Sequence, residues 1–187
     1  MKASHLLRFA IPIWILLAVV SCSSSKEVAT QAQLQQFNEM ITNRTFMIES
    51  EWAEPQFTNA MSSIANAGLL PPGSSASRIN LIGNSNYFKV MNDSISAYLP
   101  YFGERQMGGQ YGSGNGIEIE GKAEKVQYTP GKKDSYQLQF SARDKENPTE
   151  NYQVRIDLFP NNTAYITVLS SQRLSIRYTG RMTPIEE

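Results

Sequence analysis

The side chains able to do chemistry in this chain are few and unevenly placed. The single histidine, His5, and the single cysteine, Cys22, both fall at the N-terminus. The rest of the chain therefore lacks an imidazole general base, a Cys/His metal-ligand set and any disulfide. Without a histidine its serines lack the usual base that activates them as nucleophiles. Glu118 and Glu120 stand on one face of a strand pattern, about 7 Å apart by strand geometry, a spacing that could suit inverting glycoside hydrolysis. They alternate with Ile117 and Ile119, however, as acids do on any solvated strand face. Gly108, Gly109, Gly112, Gly114 and Gly116 resemble a phosphate loop only in composition. No Lys-Ser/Thr pair follows them, and the next element reads as a strand rather than a helix N-terminus. Acids with the spacing of a calcium loop are likewise missing, so no metal or cofactor is expected.

What remains is a cluster of aromatic residues with one arginine. Tyr98, Tyr101, Phe102 and Tyr111, with Arg105 nearby, are the types that line grooves for carbohydrate, peptide or other small ligands. In such grooves the rings supply flat apolar area and the guanidinium fixes polar groups. Leu99, Phe102 and Tyr101 could equally plug the core at a strand end, because Pro100 holds Leu99 extended and Gly103 permits a sharp turn. A binding site and an architectural plug both fit these residues.

The elements that must position this cluster read as β-structure. Thr30 and Gln33 form a capping box ahead of Leu34, Phe37 and Ile41, which share one helix face. From Thr45 the period changes to two, with Phe46, Ile48 and Trp52 facing one way and Glu49 and Glu51 the other, until Pro55. Phe57 to Ser77 reads as a surface connection containing one helix-like stretch, Ala60 to Ala65. A short strand over Arg78 to Ile82 precedes a hairpin, Tyr87 to Met91 and Ser94 to Leu99, turning at Asn92-Asp93. This hairpin leads straight into the aromatic cluster. Beyond the glycines, alternating runs centre on Ile117, Lys125 to Thr129, Leu138, Val154, Ile166 and Ile176. Turn residues at Pro130-Gly131, Asn147-Pro148 and Pro160-Asn161-Asn162 separate several of them. The count is about nine strands at roughly 8–15-residue spacing, predicting a mainly β, antiparallel domain, a curved sheet, sandwich or barrel, with a short N-terminal helix.

Location is written in the first residues. Lys2 and Arg8 precede an apolar stretch from Phe9 to Val20, short for a membrane span and suited to a signal segment. Leu17-Ala18-Val19-Val20-Ser21-Cys22 resembles a bacterial lipobox, which implies lipidation of Cys22. The predicted organisation is a signal peptide over 1–21, a polar tether over 22–31 and one domain over 32–187. Each buried acyl methylene contributes ~0.8 kcal/mol, so a triacylated cysteine is a durable anchor. No aspartate follows Cys22, which favours the outer membrane, and Ser25-Lys26-Glu27 faintly resembles a surface-export signal. The formal net charge is zero, and loss of Lys2 and Arg8 with the signal leaves the rest slightly acidic, so nucleic acid is not an expected partner.

Four stretches together resemble the domain-of-unknown-function family 4251. They are Asp93 to Gly103, ending Tyr-Leu-Pro-Tyr-Phe-Gly; Gly114 to Ile117; Asn162 to Val168; and Arg173 to Gly180. The resemblance runs from about Phe37 to Met182, although Glu104-Arg105-Gln106-Met107 departs from the family's Arg-Ala-Tyr. It implies a secreted or lipid-anchored protein of a Gram-negative gut or oral bacterium and carries over no catalytic residue. The expected function is a non-enzymatic envelope domain binding a small molecule, glycan or protein. A carboxylate-dependent glycan hydrolase and an assembly component of an envelope complex are the alternatives.

Overall fold

The computed structural model describes residues 29–107 and 116–185; Cys22 and Tyr111 lie outside them. Helix α1 (Gln31–Asn43) starts at the Thr30–Gln33 capping box and ends on Arg44 in the left-handed conformation. It buries Phe37, Met40 and Ile41. Ten strands follow: β1 (Thr45–Pro55), β2 (Ile79–Asn80), β3 (Tyr87–Met91), β4 (Ser94–Pro100), β5 (Gly116–Lys122), β6 (Glu124–Pro130), β7 (Tyr136–Arg143), β8 (Asn151–Leu158), β9 (Thr163–Ser170) and β10 (Ile176–Thr183). They form one antiparallel sheet in the order β5-β4-β3-β1-β10-β9-β8-β7-β6, with β2 on β1.

The order explains the shape. β5 and β6 are the two ends of the path, yet only Ala123 separates them in the chain. The sheet therefore curls into a nearly closed barrel, as strands with one apolar face require. At the seam a loop substitutes for a strand: the Lys145 N–H donates to the Glu118 carbonyl at 2.8 Å, and the Glu118 N–H donates to Asp144 Oδ2 at 3.3 Å. Inside, Phe88 of β3 faces Phe140 of β7 with ring centroids 6.0 Å apart. The fully buried set includes Phe46, Ile48, Leu99, Ile156 and Tyr178.

One sequence reading changes and one open reading is settled. Trp52 does not share the face of Phe46, Ile48 and Ser50, because a bulge between Ser50 and Trp52 shifts the phase of β1, burying Ala53 and Pro55 and leaving Trp52 half-buried. The stretch after Phe57 contains a second helix, α2 (Asn59–Asn66), capped by the Thr58 side chain accepting from the Met61 N–H at 3.2 Å. It is the helix-like stretch read over Ala60 to Ala65, one residue longer at each end.

The barrel has two unlike ends. α1 covers the end where β1 begins, with Phe37 against Tyr136 at 6.1 Å and Arg44 over the Tyr128 ring at 4.9 Å. β1 runs 11 residues, about 30 Å of strand, to the other end, where Pro55 pairs with Ile176. There α2 and the segment after β4 meet. Among the described residues no helix is long and apolar enough to cross a membrane.

Candidate functional site

The aromatic motif crosses the barrel end opposite α1. β4 stops at Pro100, whose carbonyl accepts from the buried Tyr178 hydroxyl at 2.9 Å. Beyond it the Tyr101 hydroxyl is shared between the Leu174 and Glu104 carbonyls, at 3.0 and 3.1 Å. Gly103 follows with φ +154°, where an added Cβ would sit 2.6 Å from the Tyr101 hydroxyl oxygen. Only glycine leaves that oxygen free to reach both carbonyls.

The next residues zip onto the approach to β10. The Gln106 N–H donates to the Gln172 carbonyl at 2.8 Å and the Leu174 N–H to the Glu104 carbonyl at 3.1 Å, so Arg105 and Arg173 are antiparallel bridge partners. Two like charges directly across a bridge repel. Glu150 resolves the conflict. Fully buried beside them, it takes Arg173 NH2 on Oε2 at 3.1 Å and has Arg173 Nε in ion-pair contact with Oε1 at 2.8 Å. Ser170 donates to Oε1 at 2.6 Å. Arg105 NH1 approaches Oε2 only to 3.8 Å. Arg173 spends its remaining terminal nitrogen on the Gly116 carbonyl at 2.8 Å and lies 5.2 Å from the Tyr101 ring centroid.

A second buried acid sits alongside, without a cation of its own among the described residues. Asp144 accepts from the Glu146 and Asn147 N–H groups on Oδ1, at 3.0 and 2.8 Å, and on Oδ2 from the Tyr152 hydroxyl at 2.6 Å as well as from Glu118. Burial raises the Tyr152 phenol far above its ordinary value, reinforced by the bond to Asp144. Burial likewise pushes Tyr101 up to about 12 and Tyr178 well above 10. All three phenols are neutral donors here. Glu118 and Glu120 lie on β5, half-buried and exposed, with Glu120 accepting from Ser96 at 3.1 Å.

Above the charge cluster lies a concavity of about 380 Å³. Its floor is Arg105, Arg173 and Tyr101; its walls are Phe102, Met61 and Ile64 of α2, and Leu69 and Leu70 behind α2. Leu69 is 74% exposed at the rim, so an apolar surface is left open to solvent beside a guanidinium. Larger concavities of about 520 and 690 Å³ run along β6 to β9 and along α1. Neither is lined by a buried ion pair such as Arg173–Glu150. Among the described residues no three His, Cys, Asp or Glu side chains gather as a metal site.

Of the residues singled out from sequence, Tyr101, Phe102 and Arg105 thus line one pocket. Tyr98 does not: it points outward from β4, paired with Glu118 and packed over Gly116. Cys22 and Tyr111 lie outside the described residues. Sequence reasoning missed Arg173, Glu150, Asp144 and the α2 side. Glu150 and Arg173 each stand just outside a strand, where a charged residue is ordinary, so only their convergence marks them.

The comparisons bear on the fold. A crystal structure of a DUF4251 family protein from Bacteroides eggerthii DSM 20697 aligns over 82% of this chain and 88% of its own, with a TM-score of 0.53 and 13% identity. No curated protein matches. The family model described as "Domain of unknown function (DUF4251)" matches residues 29–182, the stretch that runs from the cap of α1 to the end of β10. The chain belongs to the DUF4251 family.

Proposed function

We propose that this chain is a lipid-anchored, non-enzymatic binding domain of the Gram-negative cell envelope, holding a small ligand at the barrel end away from α1. The carrying observation is the convergence of Tyr101, Phe102, Arg105 and Arg173 with the apolar side of α2 around one 380 Å³ concavity. That volume lies within the range of small-molecule sites. The floor is rigid, because the ion pair and the Tyr101 bonds hold it without a ligand. Binding is favoured over hydrolysis because both buried acids beside the pocket are occupied: Asp144 by N–H groups and Tyr152, Glu150 by Arg173 and Ser170. Neither has the freedom to trade protons with a glycosidic oxygen.

The lipobox-like Leu17 to Cys22 supports acylation of Cys22, and the absence of Asp at the next position supports the outer membrane. The tether joins the domain at α1, so an anchor there leaves the pocket turned away from the leaflet. Full-length protein expressed in a Gram-negative host with an alkyne fatty acid should take up the label and sediment with membranes. Cys22→Ser should lose both. A mature N-terminus other than acylated Cys22 by mass spectrometry overturns the anchor. For the binding role, native mass spectrometry of the detergent-purified protein should show a bound small molecule, lost in Phe102→Asp. Stoichiometric recovery of an envelope protein, unaffected by that change, would favour an assembly role.

A further inference from the structure

We infer that the ligand of this pocket is a monocarboxylate carried on a short apolar chain, its carboxylate received by Arg105. The inference rests on the binding reading above and narrows it. Two guanidiniums meet one carboxylate in the floor. Arg173 is committed to Glu150: one terminal nitrogen donates to Oε2, the other to the Gly116 carbonyl, and Nε makes only ion-pair contact with Oε1, at 2.8 Å and without hydrogen-bond geometry. Arg105 is not. Its NH1 is buried, stops 3.8 Å from Glu150 Oε2, and has no hydrogen-bond partner among the described residues. Asp144 does not complete the balance, since its oxygens are taken by three N–H groups and the Tyr152 hydroxyl. A half-buried cation that shares its one nearby acid with a second arginine leaves room for a further anionic acceptor. NH1 itself is closed to solvent, but the Arg105 side chain as a whole is 26% exposed and lines the pocket, so an acceptor arriving there meets the guanidinium from the pocket side.

The walls define the rest of the molecule. Phe102, Met61, Ile64, Leu69 and Leu70 present no hydrogen-bonding side chain. A sugar laid along them would leave hydroxyls unpaired, whereas an alkyl or aliphatic side chain gains by burial. A phosphate dianion would need more free donors than one guanidinium beside Glu150 supplies. The 380 Å³ volume holds roughly a dozen non-hydrogen atoms at the ~30 Å³ share of a water molecule. Two sources share this chemistry: a free medium-chain acid, and the C-terminus of a peptide ending in aliphatic residues.

Full-length protein in detergent, with protein-free detergent as blank, is titrated calorimetrically with octanoate, octan-1-ol, acetyl-Leu-Leu acid and acetyl-Leu-Leu amide. The expected result is binding of octanoate or the peptide acid, at least tenfold tighter than its neutral counterpart; the tighter acid names the source. Arg105→Gln should weaken the acid about 10- to 100-fold, as loss of a charged hydrogen bond does. Arg105→Lys should lose less, and Leu69→Asp should abolish binding of every probe while the fold, checked by circular dichroism, is kept. Equal affinity for acids and neutral probes, or no effect of Arg105→Gln, overturns the carboxylate assignment and leaves the pocket as an apolar binding site. Failure of all four probes to bind overturns this inference, while a bound neutral molecule of another class, displaced by Phe102→Asp, would still uphold the broader reading.

Discussion

Glu150 is the acid on which the barrel end depends. It is fully buried and accepts from Arg173 and Ser170 while Arg105 stands 3.8 Å away. Removing its charge would leave the Arg173 guanidinium, itself 3% exposed, without a counterion in a low-dielectric site. Breaking a buried pair from one side costs about 3–5 kcal/mol. Glu150→Gln is expected to lower the unfolding free energy by about that amount in urea denaturation. Arg173→Met together with Glu150→Gln should recover part of it, since the buried guanidinium is then gone and only the more exposed Arg105 loses its nearby carboxylate. A single variant as stable as wild type would mean that the Arg173–Glu150 pair contributes nothing. The pair was not legible in advance because 23 residues separate the partners, and their neighbours in sequence look like ordinary strand ends.

At the scale of elements, the bulge in β1 and the glycine opposite it form one unit. Ser50 pairs with Gly180 just where the register of β1 and β10 shifts. A Cβ on Gly180 would fall 2.2 Å from the Glu49 carbonyl oxygen and 2.8 Å from the Ser50 Cα, both backbone atoms. Asn86, the residue just before β3, completes the arrangement: its Oδ1 accepts from the Ser50 N–H at 2.8 Å and its Nδ2 donates to the Ser50 carbonyl at 3.0 Å. A side chain thus continues the ladder where strand pairing has lapsed. Gly180→Ala should cost at least about 1–3 kcal/mol, the range for overpacking, because the obstructing atoms cannot rotate away. Thermal melts give the check, and a change below ~0.5 kcal/mol, the level of ordinary surface substitutions, would show that the strands separate freely here. The alternation of β1 was readable up to Ser50 and misleading after it. A single extra residue reverses every later side chain, and nothing local in Glu49-Ser50-Glu51 announces it.

For the whole molecule, the alkaline limit of stability follows from phenols buried across the barrel. Tyr101, Tyr128, Tyr152 and Tyr178 are all raised above 10, chiefly by burial. The native state keeps these protons at pH values where the unfolded chain has released them. Their contribution is therefore complete below pH 10 and falls as pH rises beyond it. Each fully buried phenol, Tyr152 and Tyr178, removes about 1.4 kcal/mol per pH unit above that point. The domain should unfold cooperatively between pH 10 and 12, with tyrosinate absorbance at 295 nm rising together with the loss of β-sheet circular dichroism. Tyrosinate forming well before the sheet is lost would show that these rings are accessible in the native state.

The sequence by itself determined the elements of this protein: the capping box of α1, the period-two strands, the β3–β4 hairpin and the membership of DUF4251 were legible because each rests on contacts between near neighbours. It also narrowed the chemistry, since the only histidine and cysteine precede the described domain. Tertiary structure alone decided the closure of β5 toward β6, the outward turn of Tyr98, and the meeting of Arg105, Glu150 and Arg173 beneath α2. Those depend on register and on the curl of a sheet, which sum over all ten strands. No stretch of neighbouring residues contains them.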